Sequence, residues 1–106
     1  MALYSDLGSN RAEQVVCRTM EELSARLRET LRCADDDRDD ALVQNARRLG
    51  AVAEQIGMST LRRISQDVVK TTLSGDKTAQ AATLARLARI GDRSLTAVWD
   101  LRDMTV

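Results

Sequence analysis

The chain of 106 residues contains no histidine and no proline, and its only aromatic residues are Tyr4 and Trp99. Without histidine it lacks the usual base of nucleophile–base catalysis and a common ligand of zinc sites. A composition without proline, with few aromatic residues and rich in alanine, leucine and arginine, favours helices over sheet. We therefore expect a helical, non-enzymatic protein with no metal and no cofactor.

A net charge of either sign is also missing, because 16 basic and 16 acidic side chains cancel. Neither half of the chain has the basic excess of a nucleic-acid-binding protein, so no nucleic-acid partner is expected. No apolar run approaches the length of a bilayer span, and residues 1–8 are too polar and too short for a signal peptide. These absences predict a cytoplasmic protein that does not contact a membrane.

The length predicts one compact domain over residues 1–106. The two cysteines, Cys17 and Cys33, are expected on one helix, where sixteen residues place them about 24 Å apart. A disulfide cannot span that distance, so we expect two free thiols.

Apolar residues recur at steps of three and four along four segments, which is typical of amphipathic helices. A short leading helix or tail is expected over residues 2–8. The first long helix begins near Asn10, which starts a capping-box-like pattern, and stops at the acidic run 35–40. A second helix runs from about 39 to 56 and ends at Gly57.

Ser59 is the predicted N-cap of a third helix, and the sequence Ser74-Gly75-Asp76 separates it from a fourth, in which Gly91 is a candidate kink. Short connections between four such helices predict an all-α, antiparallel up-and-down four-helix bundle. The predicted buried positions are Val16, Met20, Leu23, Leu27, Leu31 and Ala34; Leu42, Ala46, Leu49, Ala53 and Ile56; Leu61, Ile64, Val68 and Val69; and Ala81, Leu84, Leu87, Ala88, Ile90, Leu95, Val98 and Leu101.

The second helix contains Ala46-Arg47-Arg48-Leu49-Gly50-Ala51 and closes on Ile56-Gly57. This segment resembles the central helix of histidine-phosphotransfer (HPt) domains, which reads roughly Ala-His-x-Leu-Lys-Gly and later Leu-Gly. Weaker similarity extends over about residues 20–100. The resemblance implies an HPt-like bundle with an accessory N-terminal helix. It also implies a place in a two-component phosphorelay, with a response-regulator receiver domain or a histidine kinase as partner.

The departures from the HPt pattern fall on the residues that carry its chemistry. Arg47 occupies the position of the phosphorylated histidine, Gly50 replaces a lysine and Ala51 replaces a glycine. An arginine cannot accept the phosphoryl group, because its guanidinium stays protonated and has no free lone pair. The resemblance therefore implies a degenerate module that binds its partner without phosphotransfer.

Helical geometry predicts a stripe beside the buried face of the second helix, formed by Val43, Arg47, Gly50, Ala51 and Glu54. We expect this stripe to bind the partner, because its small residues allow a close approach. Arg47 could pair with the carboxylates of an acidic receiver pocket. The alternative interpretation is that the arginines of this segment only form a solvated helix surface.

Two other charged patterns favour simpler explanations. The acidic run 35–40 fails as a calcium-binding EF-hand loop, because Asp40 takes the place of the required glycine and Ala46 that of the bidentate glutamate. The stripe Arg62, Arg63, Gln66 and Lys70 on the third helix is basic on one side. Solvent exposure explains it best, a peripheral role in partner binding is the first alternative, and RNA or DNA binding is the second.

Two further functions remain as alternatives to a degenerate HPt module. One is a helical oligomerisation or scaffold protein that shares the bundle, with a homodimer as its simplest form. The other is a phosphotransfer protein that uses a different phosphoacceptor. Nothing in the spacing of Ser59, Thr60 or Asp67 singles out one of them for that role.

Overall fold

A computed structural model describes residues 7–104, except for the side chains of residues 7–10, 12, 13, 16 and 97–104. The described chain forms four helices, α1 (Leu7–Asp35), α2 (Asp39–Gln55), α3 (Ser59–Ser74) and α4 (Lys77–Met104), and contains no strand. The prediction of an all-α, four-helix protein is confirmed.

Each helix packs against its neighbours around a ring. The pairs α1–α2, α2–α3 and α3–α4 are in contact, and α4 closes the ring on α1. The connections contain only two or three residues, so successive helices run in opposite directions. The result is an up-and-down bundle in which α2 lies between α1 and α3.

Two of the three turns use a glycine in the left-handed conformation. Gly57 has φ 76° and Gly75 has φ 75°, as expected at helix C-termini. The turn between α1 and α2 instead uses Asp37, with φ 56°. Aspartate is one of the few residues other than glycine that tolerates this region. The predicted helix ends at Gly57 and Gly75 are confirmed.

The predicted cap at Ser59 is wrong by one residue. Met58 is the N-cap of α3, and no side chain caps the helix. The Met58 amide donates to the carbonyl of Ala53 at 2.9 Å, which closes the turn around Gly57. The Met58 carbonyl then accepts from the Arg62 amide at 3.0 Å, so the first helical hydrogen bond already belongs to Met58.

The predicted start of the first long helix at Asn10 is also wrong, because α1 already includes Leu7. Gly8 and Ser9 are poor helix formers, but neither interrupts a helix as proline would. Residues 7 and 8 therefore belong to α1 and not to a separate accessory helix. Residues 2–6 of the predicted leading segment lie outside the described residues.

The predicted apolar stripes form most of the core. Fourteen apolar residues are buried among the side chains that the structure describes, including Leu23, Leu49 and Val68 at 0% exposure. Ala81 was predicted in this set but is exposed, because it lies about 120° around α4 from the buried Leu87. The predictions for Val16, Val98 and Leu101 lie outside the described side chains.

The two cysteines lie on α1 as free thiols, as predicted, with Cys33 buried and Cys17 half-buried. The Nδ2 of Asn45 on α2 contacts the Cys33 sulfur at 3.6 Å and donates to the Ala41 carbonyl at 2.9 Å. This polar contact helps to fix the face of α2 that packs on α1.

Helix α4 continues through Gly91 without a break. Gly91 is buried where α4 meets α1. A Cβ atom at this position would lie 2.6 Å from Cδ2 of Leu27. The glycine therefore allows the two helices to approach each other closely.

The bundle contains one long and one short pair of helices. With 29 and 28 residues, α1 and α4 are about 43 Å long, whereas α2 and α3, with 17 and 16 residues, are about 25 Å long. At one end of the bundle the long pair and the short pair finish at the same height, and Lys77 Nζ lies 3.7 Å from Asp39 Oδ2 there. The start of α1 and the end of α4 therefore extend beyond the α2–α3 turn. None of the helices described is both long and apolar enough to cross a bilayer.

Candidate functional site

A groove of about 570 Å³ lies between α2 and α3 on the outer side of the short pair. Its α2 wall contains Ala46, Arg47, Gly50, Ala51 and Glu54. Its α3 wall contains Arg62, Ser65, Gln66, Val69 and Lys70. The groove thus joins most of the stripe predicted on α2 to a part of α3 that runs antiparallel beside it.

The floor of the groove consists of small residues. Ala46 and Ser65 are 0% and 1% exposed, and Gly50 is buried between them. A Cβ atom at Gly50 would lie 3.5 Å from the Cβ of Ser65, an ordinary contact distance. The groove exists because neither helix places a large side chain at this level.

The upper edges of the groove are polar and accessible. Arg47 and Glu54 on α2 and Gln66 and Lys70 on α3 are exposed, and Arg62 is half-buried. Among the described side chains, these five form no salt bridge or hydrogen bond with another residue. Their polar groups can therefore bind a partner without first breaking an internal contact.

Ion pairs do form on other faces of the bundle. Arg32 Nη2 lies 2.8 Å from Glu29 Oε1, and this hydrogen bond raises the pKa of the Arg32 guanidinium. The only other salt bridge among the described residues joins Lys77 and Asp39. Both pairs lie outside the groove, and its three cations, like exposed Arg48 and Arg63 outside it, form no salt bridge within the described part of the chain.

Charge is unevenly distributed along the groove. Because Ser65 lies opposite Gly50, these two residues define how the antiparallel helices α2 and α3 are aligned along their axes. Arg47 precedes Gly50 by three residues and Lys70 follows Ser65 by five, so both are displaced toward the same end. Glu54 and Arg62 are displaced toward the other end by the same reasoning. One end of the groove carries two positive charges, and the other carries one of each sign.

The structure places three of the five predicted site residues on the edge of the groove. Arg47, Ala51 and Glu54 are exposed, as predicted for a stripe outside the core. Gly50 lines the floor but is buried, so its predicted outward position is wrong. Val43 is only 8% exposed and does not line the groove.

The error at Val43 and Gly50 has a common geometric cause. The two residues lie within about 20° of each other around α2 and face α3. On the opposite side, Asn45 and Val52 are also buried, and Asn45 contacts α1 through Cys33. A helix between two neighbours buries about half of its circumference, whereas the sequence pattern predicted a narrower stripe.

The α3 wall was only partly anticipated. Arg62, Gln66 and Lys70 belong to the basic stripe predicted on α3, and the structure brings them opposite α2. Ser65 and Val69 were not predicted as site residues. A small polar residue at the buried position Ser65 was the available signal, since it leaves room beside a neighbouring helix.

The polar groups that line the groove are mainly ones that form hydrogen bonds and ion pairs. The only hydroxyl group there, that of Ser65, donates to the Leu61 carbonyl at 2.9 Å. No histidine exists in the chain to activate it. In the part of the chain that the structure describes, no three His, Cys, Asp or Glu residues are grouped as a metal site. The groove offers hydrogen-bond donors, cations and a carboxylate around a floor of small residues.

Comparison with protein-family models, curated proteins and solved structures finds no match to this chain. The groove and the motif that lines it are therefore the basis for a functional interpretation.

Proposed function

We propose that the protein is a cytoplasmic, non-catalytic HPt-like module of a two-component phosphorelay. It binds a response-regulator receiver domain or a histidine-kinase domain through the α2–α3 groove and transfers no phosphoryl group. The proposal combines the motif on α2 with the position of that motif in the bundle.

One observation carries the proposal, namely the division of the HPt-like motif between core and surface. Ala46 and Leu49, the residues that match the HPt pattern, are 0% exposed. Arg47, which takes the phosphoacceptor position, is exposed on the edge of the groove. This is the arrangement expected of an HPt-like surface whose reactive residue has been replaced.

Binding without transfer follows from the chemistry of Arg47. Its guanidinium presents several N–H donors and a permanent positive charge, but no nucleophilic lone pair. Carboxylates at the phosphorylation site of a receiver are suitable acceptors for such a group. The floor at Gly50 lets a partner's backbone approach the base of the arginine.

The direct test is a titration of purified receiver domains and kinase domains from the same cell against the wild-type protein and Arg47→Ala. A charge-assisted contact at an interface contributes about 1.5–3 kcal/mol, so we expect Arg47→Ala to weaken binding about tenfold or more. Isothermal titration calorimetry measures the change, and circular dichroism checks that the variant remains helical.

Arg48→Ala is the matched control. Arg48 is exposed on the same helix but does not line the groove, and the substitution removes the same charge. We expect it to leave the affinity within about twofold of wild type, as for a surface charge outside the contact. Equal loss of binding in both variants, or no loss in either, contradicts a specific role for Arg47.

Phosphotransfer is tested separately with receivers charged by acetyl phosphate. We expect the protein to acquire no phosphate and the receiver to lose its phosphate at its own rate. Labelled phosphate on the protein would instead support the alternative of another phosphoacceptor. Multi-angle light scattering during the titration detects a homodimer, and self-association without receiver or kinase binding would support the scaffold alternative.

A further inference from the structure

The uneven charge of the groove should make its affinity for a partner depend on the charge that the partner carries. Arg47 and Lys70 form the cationic end of the groove. This end lies apart from Glu54 because Arg47 and Glu54 are seven residues, or about 10 Å, apart along α2. The acidic edge therefore does not neutralise the cationic end at contact distance.

Neither cation is already paired. Within the described residues, Arg47 and Lys70 form no salt bridge. An incoming anion at the cationic end gains attraction to two charges and breaks no existing ion pair. The floor between the two helices is made of small residues, so a compact anionic group has room to enter.

A phosphoryl group is a compact anion of this kind. It carries a charge of about −1.5 to −2 and three strong acceptor oxygens. A carboxylate that becomes phosphorylated gains about one negative charge, so a partner's charge changes in the direction that the cationic end favours. Arginine and lysine together are typical ligands for phosphoryl oxygens.

We propose that the cationic end contacts the phosphorylation site of the receiver, so that the protein binds the phosphorylated receiver in preference to the unmodified form. This inference rests on the proposed function and adds the state of the partner to it. It assigns Lys70, on α3, a role that the motif on α2 does not predict. The protein then acts as a reader of receiver phosphorylation and removes no phosphate.

The test uses a receiver domain in the presence of Mg²⁺, with and without beryllium trifluoride, which mimics the phosphoryl group; Mg²⁺ is kept in both samples so that they differ only by the added anion. Binding is measured by calorimetry against the wild-type protein, Lys70→Gln and Arg63→Gln. The one negative charge added on loading gains up to about fivefold in affinity from each exposed cation, so the two cations together give the wild type a preference of roughly fivefold or more for the loaded receiver.

Lys70→Gln is expected to reduce that preference to about twofold or less, because it weakens binding of the loaded receiver more than binding of the unloaded receiver. Arg63 is also exposed on α3 and does not line the groove, so Arg63→Gln provides a matched loss of one charge. We expect it to keep the preference. Raising the salt concentration should reduce the preference, because exposed charge contacts are screened.

The possible outcomes separate this inference from the proposed function. Equal binding of both receiver states by the wild type, or tighter binding of the unloaded state, overturns the inference and leaves receiver binding intact. A preference that survives Lys70→Gln but not Arg63→Gln also overturns it. A protein that binds the receiver in neither state overturns the proposed function together with the inference.

Discussion

Gly50 in α2 and Gly91 in α4 face neighbouring helices under different constraints. At Gly91, a Cβ atom would lie 2.6 Å from Leu27 Cδ2 and 3.1 Å from its Cδ1. At Gly50, the nearest atoms would be the Ser65 Cβ at 3.5 Å and the Arg62 carbonyl oxygen at 3.9 Å. A side chain at the first position requires Leu27 to shift, whereas one at the second meets only ordinary contact distances.

This difference separates a packing role from a surface role. A glycine inside a helix is less favourable than alanine by about 1 kcal/mol. At Gly91 the close approach of α4 to α1 explains why that cost is accepted. At Gly50 packing provides no such reason, and the methyl group it lacks would fill part of the groove floor. The contrast supports a role for Gly50 in binding and one for Gly91 in stability.

The largest effect is expected from Leu27→Ala, which removes the side chain that Gly91 accommodates. Leu27 is 7% exposed and belongs to the core, so its truncation leaves a cavity. We expect the free energy of unfolding to fall by about 2–4 kcal/mol. Urea denaturation followed by circular dichroism measures it. A loss below about 1 kcal/mol would mean that the α1–α4 contact is not part of the stable core.

Gly91→Ala tests the same contact from the other side. The added methyl group overlaps Leu27, and overpacking of this kind costs about 1–3 kcal/mol. The higher helix propensity of alanine offsets about 1 kcal/mol of that cost, so we expect a net destabilisation of about 1 kcal/mol. The same urea denaturation experiment measures this change.

The Leu27→Ala background provides the control for that substitution. With the leucine side chain gone, the methyl group at position 91 has room, and Gly91→Ala should become neutral or stabilising. The double-mutant cycle should give a coupling of about 2 kcal/mol between the two positions. Equal effects of Gly91→Ala in both backgrounds would contradict the contact as the cause.

Much of the fold follows from local patterns in the sequence. The steps of three and four from Leu23 to Leu27, and from Leu42 through Ala46 to Leu49, predict the centre of each buried helix face, because helical periodicity places these residues on one side of the helix. Gly57 and Gly75 predict two of the turns because few other residues adopt the left-handed conformation readily. These features depend on residues close together in the chain.

The features that the sequence left unpredicted depend on contacts between distant residues. Gly91 was a candidate kink, since nothing near it in the chain indicates that Leu27 packs against it. Val43 and Gly50 were predicted outside the core, because their burial requires α3 to lie beside α2. Ser65 and Val69 on the α3 wall were not predicted for the same reason, because their position opposite α2 depends on how the two helices are aligned along their axes.

Gly50→Ala should give the smallest effect, with the opposite sign to Gly91→Ala. The methyl group meets Ser65 at an ordinary contact distance, and the helix propensity of alanine is higher. We expect the free energy of unfolding to rise by up to about 1 kcal/mol in the same urea experiment. Destabilisation would mean that α2 and α3 cannot accept the methyl group, and the distinction between the two glycines would fail.

Gly50→Ala also tests whether the floor of the groove takes part in binding a partner. If a partner reaches the floor of the groove, a methyl group at Gly50 should weaken its binding although the free protein becomes more stable. Ala51→Ser, on the exposed edge, changes a neighbouring residue without filling the floor and serves as the control. Stability and affinity that move in opposite directions in Gly50→Ala would show that the glycine is retained for the groove, because no gain in folding explains it.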